Sequence, residues 1–243
     1  MSNVSESVLE LDDVSKSFGT VDVLSDVSLS VPAGNVVAVI GPNGSGKTTL
    51  IRLLVGDIRP TDGTVTYRGP DADRPVGYLP QQLTFRAGFT AMETLSFYAS
   101  LTDGPSPETL LERVGLADAG DRDVEALSGG MRRLLGIAQS MIGDPPMIVL
   151  DEPASGLDPN MSASVFATAD EMADRGTTVV LSSHDLSLVE STADLVVVLT
   201  QGRVAACDAT DALLERFEVD SLRGVLDSLV DTTDTVAVVG GDR

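Results

Sequence analysis

The sequence predicts an α/β fold in which helices cover both faces of a mostly parallel sheet. Residues 36–40 form a short, continuous apolar run, which is typical of a strand buried on both faces. From residue 130 to residue 199, helical periodicity alternates with short apolar runs, which indicates parallel strands joined by helices. The chain has 243 residues, of which 42% are hydrophobic, and this suffices for one large domain.

The elements before this region predict a separate antiparallel β subdomain. Residues 8–11, 23–31 and 64–67 alternate apolar and polar side chains, as strands do. Residues 48–54 begin a helical pattern directly after a glycine-rich loop. The later elements are predicted as helices 130–142, 161–175 and 186–191 and strands 147–150, 177–181 and 195–199.

The middle of the chain predicts a small α-helical subdomain at residues 85–126, because its apolar spacing becomes helical and Ser106-Pro107-Glu108 is a helix start signal. We interpret residues 1–243 as a single domain. Its core is residues 8–84 and 127–207, and residues 208–243 are a short C-terminal tail. The tail contains one amphipathic helix candidate followed by a segment expected to fray.

Composition excludes several classes of protein. With 37 acidic and 16 basic residues the formal net charge is −21, so no nucleic acid partner is expected. The carboxylates are spread along the chain, and Lys16 and Lys47 are its only lysines. This composition resembles proteins of extreme halophiles, in which salt screens an acidic surface; an acidic binding tail is the alternative. The sequence contains no apolar run of membrane-spanning length and no signal peptide pattern, and the lone Cys207 agrees with a reducing cytosol.

A phosphate-binding motif lies between the buried strand and the helix that follows it. The motif G-x-x-x-x-G-K-[ST] is matched by Gly41, Pro42, Asn43, Gly44, Ser45, Gly46, Lys47 and Thr48, and Thr49 follows. Its glycines let backbone N–H groups surround a phosphate at a helix N-terminus. Lys47 would reach the β- and γ-phosphates, and Thr48 would supply a hydroxyl to Mg²⁺. The flanking strand and helix argue against a glycine-rich turn with a stray lysine.

The strand predicted at residues 147–150 ends in two carboxylates, Asp151 and Glu152. Asp151 would hold Mg²⁺ directly or through water. Glu152 could polarise the water that attacks the phosphate. Carboxylates often end strands, so the pair gains its significance from the phosphate-binding motif.

With these motifs, residues 9–207 resemble the nucleotide-binding domain of ABC transporters, which has a P-loop NTPase core. The family signature L-S-G-G-Q resembles Leu127-Ser-Gly-Gly-Met131, in which methionine replaces glutamine. The predicted anion site comprises Ser128, Gly129 and Gly130, at a helix start that could hold the γ-phosphate of an ATP bound to another subunit. Taken alone, this motif would be better explained as a helix N-cap with a Gly-Gly hinge.

The resemblance implies four further site residues. Phe18 falls where the family has an aromatic ring that stacks on adenine. Gln81, preferred over Gln82 by its spacing from the preceding proline, falls in the glutamine loop that senses Mg²⁺ and water. Asp158 ends a segment similar to the loop that crosses the dimer interface, and His184 matches the switch histidine. The implied catalytic residues are Glu152, His184 and Gln81, and the implied Mg²⁺ ligands are Thr48, Gln81 and Asp151.

The family resemblance implies an ATPase, with ATP and Mg²⁺, that powers a membrane transporter by ATP-driven dimer closure. Its implied partners are a second ATPase subunit, identical or closely homologous, and a separate transmembrane permease subunit. Its implied location is peripheral, on the cytoplasmic side of the cell membrane. Phe85, Phe89 and Met92 are candidates for the permease-docking surface, although packing of the helical subdomain would explain each of them equally well.

Three alternatives stay open. A soluble ABC ATPase of the repair, chromosome or translation type is disfavoured, because residues 83–126 are too short for a long coiled coil, only one such domain is present, and the chain is acidic. An inactive regulatory subunit is disfavoured by the presence of Lys47, Glu152 and His184. An importer ATPase is the third; the signature, the short helical subdomain and the short tail resemble type-2 exporter ATPases, which favours export.

Overall fold

The computed structural model describes residues 7–237, with side chains through residue 230. Its strands are β1 (Ser7–Phe18), β2 (Val21–Pro32), β3 (Val36–Ile40), β4 (Asp62–Tyr67), β5 (Val76–Leu79), β6 (Met147–Leu150), β7 (Thr178–Ser182), β8 (Leu195–Thr200) and β9 (Arg203–Asp208). Its helices are α1 (Lys47–Leu54), α2 (Ala91–Ala99), α3 (Pro107–Arg113), α4 (Gly129–Ser140), α5 (Pro159–Asp174), α6 (Leu186–Thr192), α7 (Thr210–Phe217) and α8 (Leu222–Ala237). No helix within this described part combines the length and apolarity needed to cross a membrane.

The central sheet has six strands in the order β5-β6-β7-β3-β8-β9. All neighbouring strands are parallel except β9, which runs antiparallel to β8. Successive residues of β3 enter two different hydrophobic cores: Val36, Ala38 and Ile40 join one, and Val37 and Val39 join the other. The continuous apolar run is therefore buried on both faces, and the predicted parallel α/β core is confirmed.

A second sheet contains three antiparallel strands in the order β2-β1-β4. In β2, Val27, Leu29 and Val31 are buried while the residues between them are exposed, and the buried ones join the core that contains Val37. This alternation is the pattern that predicted the antiparallel β subdomain, and the structure confirms it.

The helical subdomain begins at a capping box. Thr90 Oγ1 accepts a hydrogen bond of 3.0 Å from Glu93 N, and Glu93 Oε2 accepts one of 2.9 Å from Thr90 N. The cap of α3 is Ser106, as predicted, with proline at the first helical position. A backbone bridge between Thr90 and Asp123 joins the beginning of this segment to its end. The segment therefore leaves the core sheet and returns to it as one closed unit.

Three elements were not predicted. The four-residue strand β5 contains Gly77, where a Cβ would lie 2.1 Å from Ser140 O, so tertiary packing rather than periodicity selects that residue. The edge strand β9 has a single β-branched residue, Val204, so its sequence does not stand out as a strand. The tail was expected to carry one helix and a frayed segment, but it carries two, because Leu222 and Val225 of α8 are fully buried. Residues 238–243 lie outside the described residues.

The acidic residues lie on the surface. Among residues 7–230, Asp151 and Glu152 are the only buried carboxylates. Most of the charges that make up the net value of −21 are therefore in contact with solvent, where salt can screen them.

Salt is expected to stabilise the folded chain. The midpoint of thermal unfolding should rise by at least several degrees between about 0.1 M and about 2 M KCl, because the Debye length falls from about 10 Å to about 3 Å or less. Mutual repulsion of the exposed carboxylates is then largely screened. Melting curves at a series of KCl concentrations measure this effect, and an unchanged midpoint would show that the acidity is no adaptation to salt.

Candidate active site

The phosphate-binding motif forms the loop between β3 and α1, as predicted. A Cβ at Gly41 would lie 2.0 Å from Leu199 O, and a Cβ at Gly46 would lie 2.7 Å from Leu24 Cδ2. Gly46 also has a φ of 103°, which residues other than glycine rarely adopt. The loop is therefore wedged between β8 and β2, and only glycine allows its backbone to follow this path.

Lys47 directs its amine into this loop. The side chain is buried, and Nζ donates hydrogen bonds to Gly41 O at 2.8 Å and to Pro42 O at 3.1 Å. Burial lowers the pKa of Lys47, while the charges of Glu152 and Asp151 oppose that shift. Ser45 Oγ is buried and has no hydrogen-bond partner among the described residues. A buried ammonium and an unpaired hydroxyl on one loop fit the oxygens of a nucleotide phosphate.

Asp151 occupies the carboxyl end of β6, with 1% of its surface exposed. Its Oδ1 accepts a hydrogen bond of 2.8 Å from Ser182 Oγ, at the end of the neighbouring strand β7. Since β7 also pairs with β3, Asp151 lies at the same sheet edge as the phosphate loop. With the exposed Thr48 in the first turn of α1, this fixed carboxylate has the donor chemistry that Mg²⁺ prefers.

Glu152 follows in a strained backbone conformation, with a φ of 50°. Its N–H donates to Ser182 Oγ at 2.9 Å. Its Oε1 lies 3.1 Å from His184 Nε2, without the alignment of a hydrogen bond. Burial raises the pKa of Glu152, and electrostatic interactions with His184 and Lys47 partly offset that increase. The structure thus brings together the predicted base and the predicted switch histidine.

The two glutamine candidates follow β5 on an exposed loop. The backbone carbonyl of Gln81 accepts a hydrogen bond of 2.9 Å from Arg133 Nη1. The side chains of Gln81 and Gln82 are both exposed, so the preference for Gln81 as a catalytic residue and Mg²⁺ ligand stays a prediction.

Phe18 ends β1 at the hairpin that leads into β2 and is 46% exposed. The same hairpin brings Val23 O to 3.0 Å from the Cβ that a side chain at Gly46 would have. The ring therefore lies at the end of the sheet that borders the phosphate loop, with Lys16 Nζ 5.0 Å from its centroid. Stacking of Phe18 on adenine stays a prediction.

The signature residues open α4. Ser128 is its N-cap, and Ser128 Oγ accepts a hydrogen bond of 3.1 Å from Met131 N. Ser128 and Gly129 are exposed, while Gly130 packs closely against Met161. Met131, which replaces the usual glutamine, supplies its N–H to this cap. An exposed helix N-terminus is the structure that the motif predicted, and its use as an anion site stays a prediction.

Asp158 is the N-cap of α5. Its Oδ1 accepts hydrogen bonds from Asn160 N and Met161 N, each at 3.1 Å. The carboxylate therefore has a structural role within this chain, which sequence analysis did not foresee. Its predicted role at a dimer interface is untested.

Sequence analysis missed two residues of this region, Ser182 and Arg133. The hydroxyl of Ser182 donates to Asp151 Oδ1 and accepts from Glu152 N. The sequence feature that could have indicated this residue is the serine pair directly before His184. Arg133 follows Arg132 in the sequence, and nothing in this pair of basic residues indicates burial. Arg133 is in fact buried on α4 and contacts the backbone of Asp151 and Glu152.

Comparisons with known proteins agree with this geometry. The family model described as ABC transporter matches residues 24–155. Nod factor export ATP-binding protein I of Cupriavidus pinatubonensis is 32% identical over 254 residues, covering 94% of this chain and 78% of that protein. Zinc import ATP-binding protein ZnuC of Roseobacter denitrificans is 36% identical over 212 residues, covering 86% of this chain and 80% of that protein.

A solved structure, described as the ATP binding subunit of an ABC transporter, superposes with a TM-score of 0.81. It is 28% identical in sequence, and the match covers 92% of this chain and 99% of that one. The fold therefore agrees with both kinds of comparison. The chain belongs to the ABC transporter family and is the ATP-binding, ATP-hydrolysing subunit that powers a membrane transporter.

Proposed function

We propose that this chain drives an exporter from the cytoplasmic side of the membrane, as one half of an ATP-closed dimer. The observation that carries the proposal is that the hydrolytic residues and the signature serine lie on different elements of the chain. Lys47, Asp151, Glu152 and His184 form a hydrolytic cluster, whereas Ser128 presents an exposed helix N-terminus on a different element. Two chains arranged head to tail would complete both sites.

In the proposed mechanism, the loop N–H groups, Ser45 and Lys47 hold the phosphates of ATP. Thr48, Asp151 and Gln81 would hold Mg²⁺, which would supply positive charge to neutralise the phosphates. Glu152 polarises the attacking water, and His184 lies beside that carboxylate and contacts the γ-phosphate. Ser182 hydrogen-bonds to both Asp151 and Glu152, so the proposed metal ligand and the proposed base are held at a fixed distance from each other.

The permease is proposed to dock on an apolar patch of the helical subdomain. This patch, named the helical-lobe patch, consists of Phe89, Phe97, Tyr98 and Leu101. Leu101 is 74% exposed, and the ring of Phe97 lies 5.2 Å from that of Tyr98 and 6.4 Å from that of Phe89. Exposed apolar clusters of this kind mark protein interfaces. The other two docking candidates from the sequence, Phe85 and Met92, are half-buried against the core.

Leu101→Asp is expected to abolish co-purification with the permease while basal ATP turnover stays within about twofold, because a charge at the centre of an apolar interface is costly. Pull-down of the co-expressed subunits and a phosphate-release assay measure the two effects. Leu101→Met is the matched control, since it keeps an apolar side chain at the same position. Full retention of the permease by Leu101→Asp would contradict docking at this patch.

The direction of transport is proposed as export, in agreement with the signature region and with the relative named for Nod factor export. The relative named for zinc import has a similar level of identity, so direction needs its own test. The protein encoded by the neighbouring reading frame provides that test. A membrane protein with six helices and no soluble receptor beside it is expected, whereas a required soluble receptor would contradict export.

A further inference from the structure

Arg133 makes an unusual set of contacts for a residue on a helix. It lies on α4, and only 6% of its surface is exposed. Its guanidinium donates to five backbone carbonyls: Nε to Pro153 O at 2.9 Å, Nη1 to Pro80 O at 3.1 Å and Gln81 O at 2.9 Å, and Nη2 to Asp151 O at 2.8 Å and to Glu152 O. A guanidinium has five N–H donors, so every donor of Arg133 has a backbone carbonyl as its acceptor.

The carbonyls belong to two separate segments. Residues 80–81 lie in the glutamine loop, and residues 151–153 follow β6 and contain the predicted metal ligand and base. Arg133 itself is five positions after Ser128 on the helix that the signature opens. One side chain therefore connects three parts of the catalytic machinery, and the planar fork of arginine suits this task better than any other side chain.

The contact with Glu152 is the most informative. A non-glycine residue at positive φ persists only when its surroundings hold it there, and Glu152 has a φ of 50°. Ser182 Oγ holds its N–H, and Arg133 Nη2 holds its carbonyl oxygen. If the second of these contacts is lost, the backbone can relax and the carboxylate can move away from His184.

We propose that Arg133 is a positioning residue that holds Glu152 in its strained conformation and ties the glutamine loop to the signature helix. The inference rests on the proposed role of Glu152 as the base. It assigns to Arg133 an effect on turnover that acts through Glu152, not an effect on nucleotide affinity or on folding alone.

The test compares Arg133→Gln with Arg74→Gln. Arg74 is the matched control, because its half-buried guanidinium also donates to two backbone carbonyls, those of Gln139 and Ile142, near the far end of α4. We expect Arg133→Gln to lower kcat by about 10-fold to 10²-fold, the range of a small misplacement of a catalytic group. Affinity for a fluorescent ATP analogue should stay within about twofold. Arg74→Gln should lower the melting temperature without lowering kcat.

A second readout is independent of turnover. Amide hydrogen exchange should become faster in residues 79–83 and 150–154 of Arg133→Gln, since both segments lose their shared anchor. Arg133→Lys keeps the charge but makes fewer hydrogen bonds, so it should fall between wild type and Arg133→Gln in kcat and exchange. If Arg133→Gln fails to fold, the kcat and hydrogen exchange of Arg133→Lys test the positioning role instead.

A double variant separates the possible failures. In the Glu152→Gln background, Arg133→Gln should cause little further loss of kcat, because it acts through the side chain already replaced. An equal fold-loss in both backgrounds, or unchanged kcat and exchange in the two Arg133 variants, would overturn the positioning role. If Glu152→Gln itself turns over normally, the base assignment fails, and the positioning role that rests on it fails too.

Discussion

Replacing Glu152 with glutamine is expected to lower ATP turnover by about 10²-fold or more while ATP binding stays intact. Glutamine keeps the size and shape of the side chain but removes the charge that polarises water. The position of Lys47 should be kept, because Nζ is held by Gly41 O and Pro42 O, and Asp151 still opposes the lowering of the Lys47 pKa by burial. Phosphate release measures turnover, and a fluorescent ATP analogue measures affinity.

Lys47→Ala provides the opposite pattern for comparison. It removes the cation from the loop, so nucleotide affinity itself should fall. The two variants together separate a loss of chemistry from a loss of binding. Near-normal turnover in Glu152→Gln would refute Glu152 as the base, whatever Lys47→Ala does.

Ser128→Arg is expected to abolish turnover without weakening nucleotide binding to the single chain. Ser128 lies at the exposed N-cap of α4, and a bulky side chain there would enter the space proposed for the γ-phosphate of the facing chain. The phosphate loop, which precedes α1, would still bind its own nucleotide. Turnover and analogue affinity, measured on the same preparation, test the two parts of this expectation.

The same substitution also removes a helix cap, which costs about 1 kcal/mol of stability. Ser106→Arg is the matched control. Ser106 is an exposed N-cap serine too, and its side chain accepts a hydrogen bond of 3.3 Å from Thr109 N at the start of α3. If Ser106→Arg reduced turnover as much as Ser128→Arg, the loss would be one of stability, and the second anion site would be excluded as its cause.

The core of the fold could be predicted because its signals are local. The apolar run of β3 and the alternation of β2 record burial directly in the order of residues. Helix α8 was missed because its burial depends on partners far away in sequence. Leu222 N, for example, donates to Glu190 Oε1 at 2.6 Å, 32 residues earlier in the chain.

The same distinction applies to the site. Lys47, Asp151 and Glu152 stand in linear motifs, so their proximity at one sheet edge could be predicted from the sequence. Ser182 and Arg133 act on them from other elements: Ser182 is 31 residues from Asp151, and Arg133 is 52 residues from Gln81. A serine or an arginine in an apolar segment carries no sign of which backbone or carboxylate it will contact. Only the packed structure shows that Ser182 contacts both Asp151 and Glu152, and that Arg133 contacts the backbones of Glu152 and Gln81.

The division of the ATP site between two chains is the central claim, and the mass of the Glu152→Gln protein in solution tests it most directly. Size-exclusion chromatography with light scattering, in high salt to screen the charge of −21, gives that mass with and without Mg-ATP. Slow hydrolysis should trap a dimer of twice 25.3 kDa when Mg-ATP is present and leave a monomer when it is absent. Adding Ser128→Arg should prevent the dimer. A Glu152→Gln protein that stays monomeric at saturating Mg-ATP would contradict the homodimer.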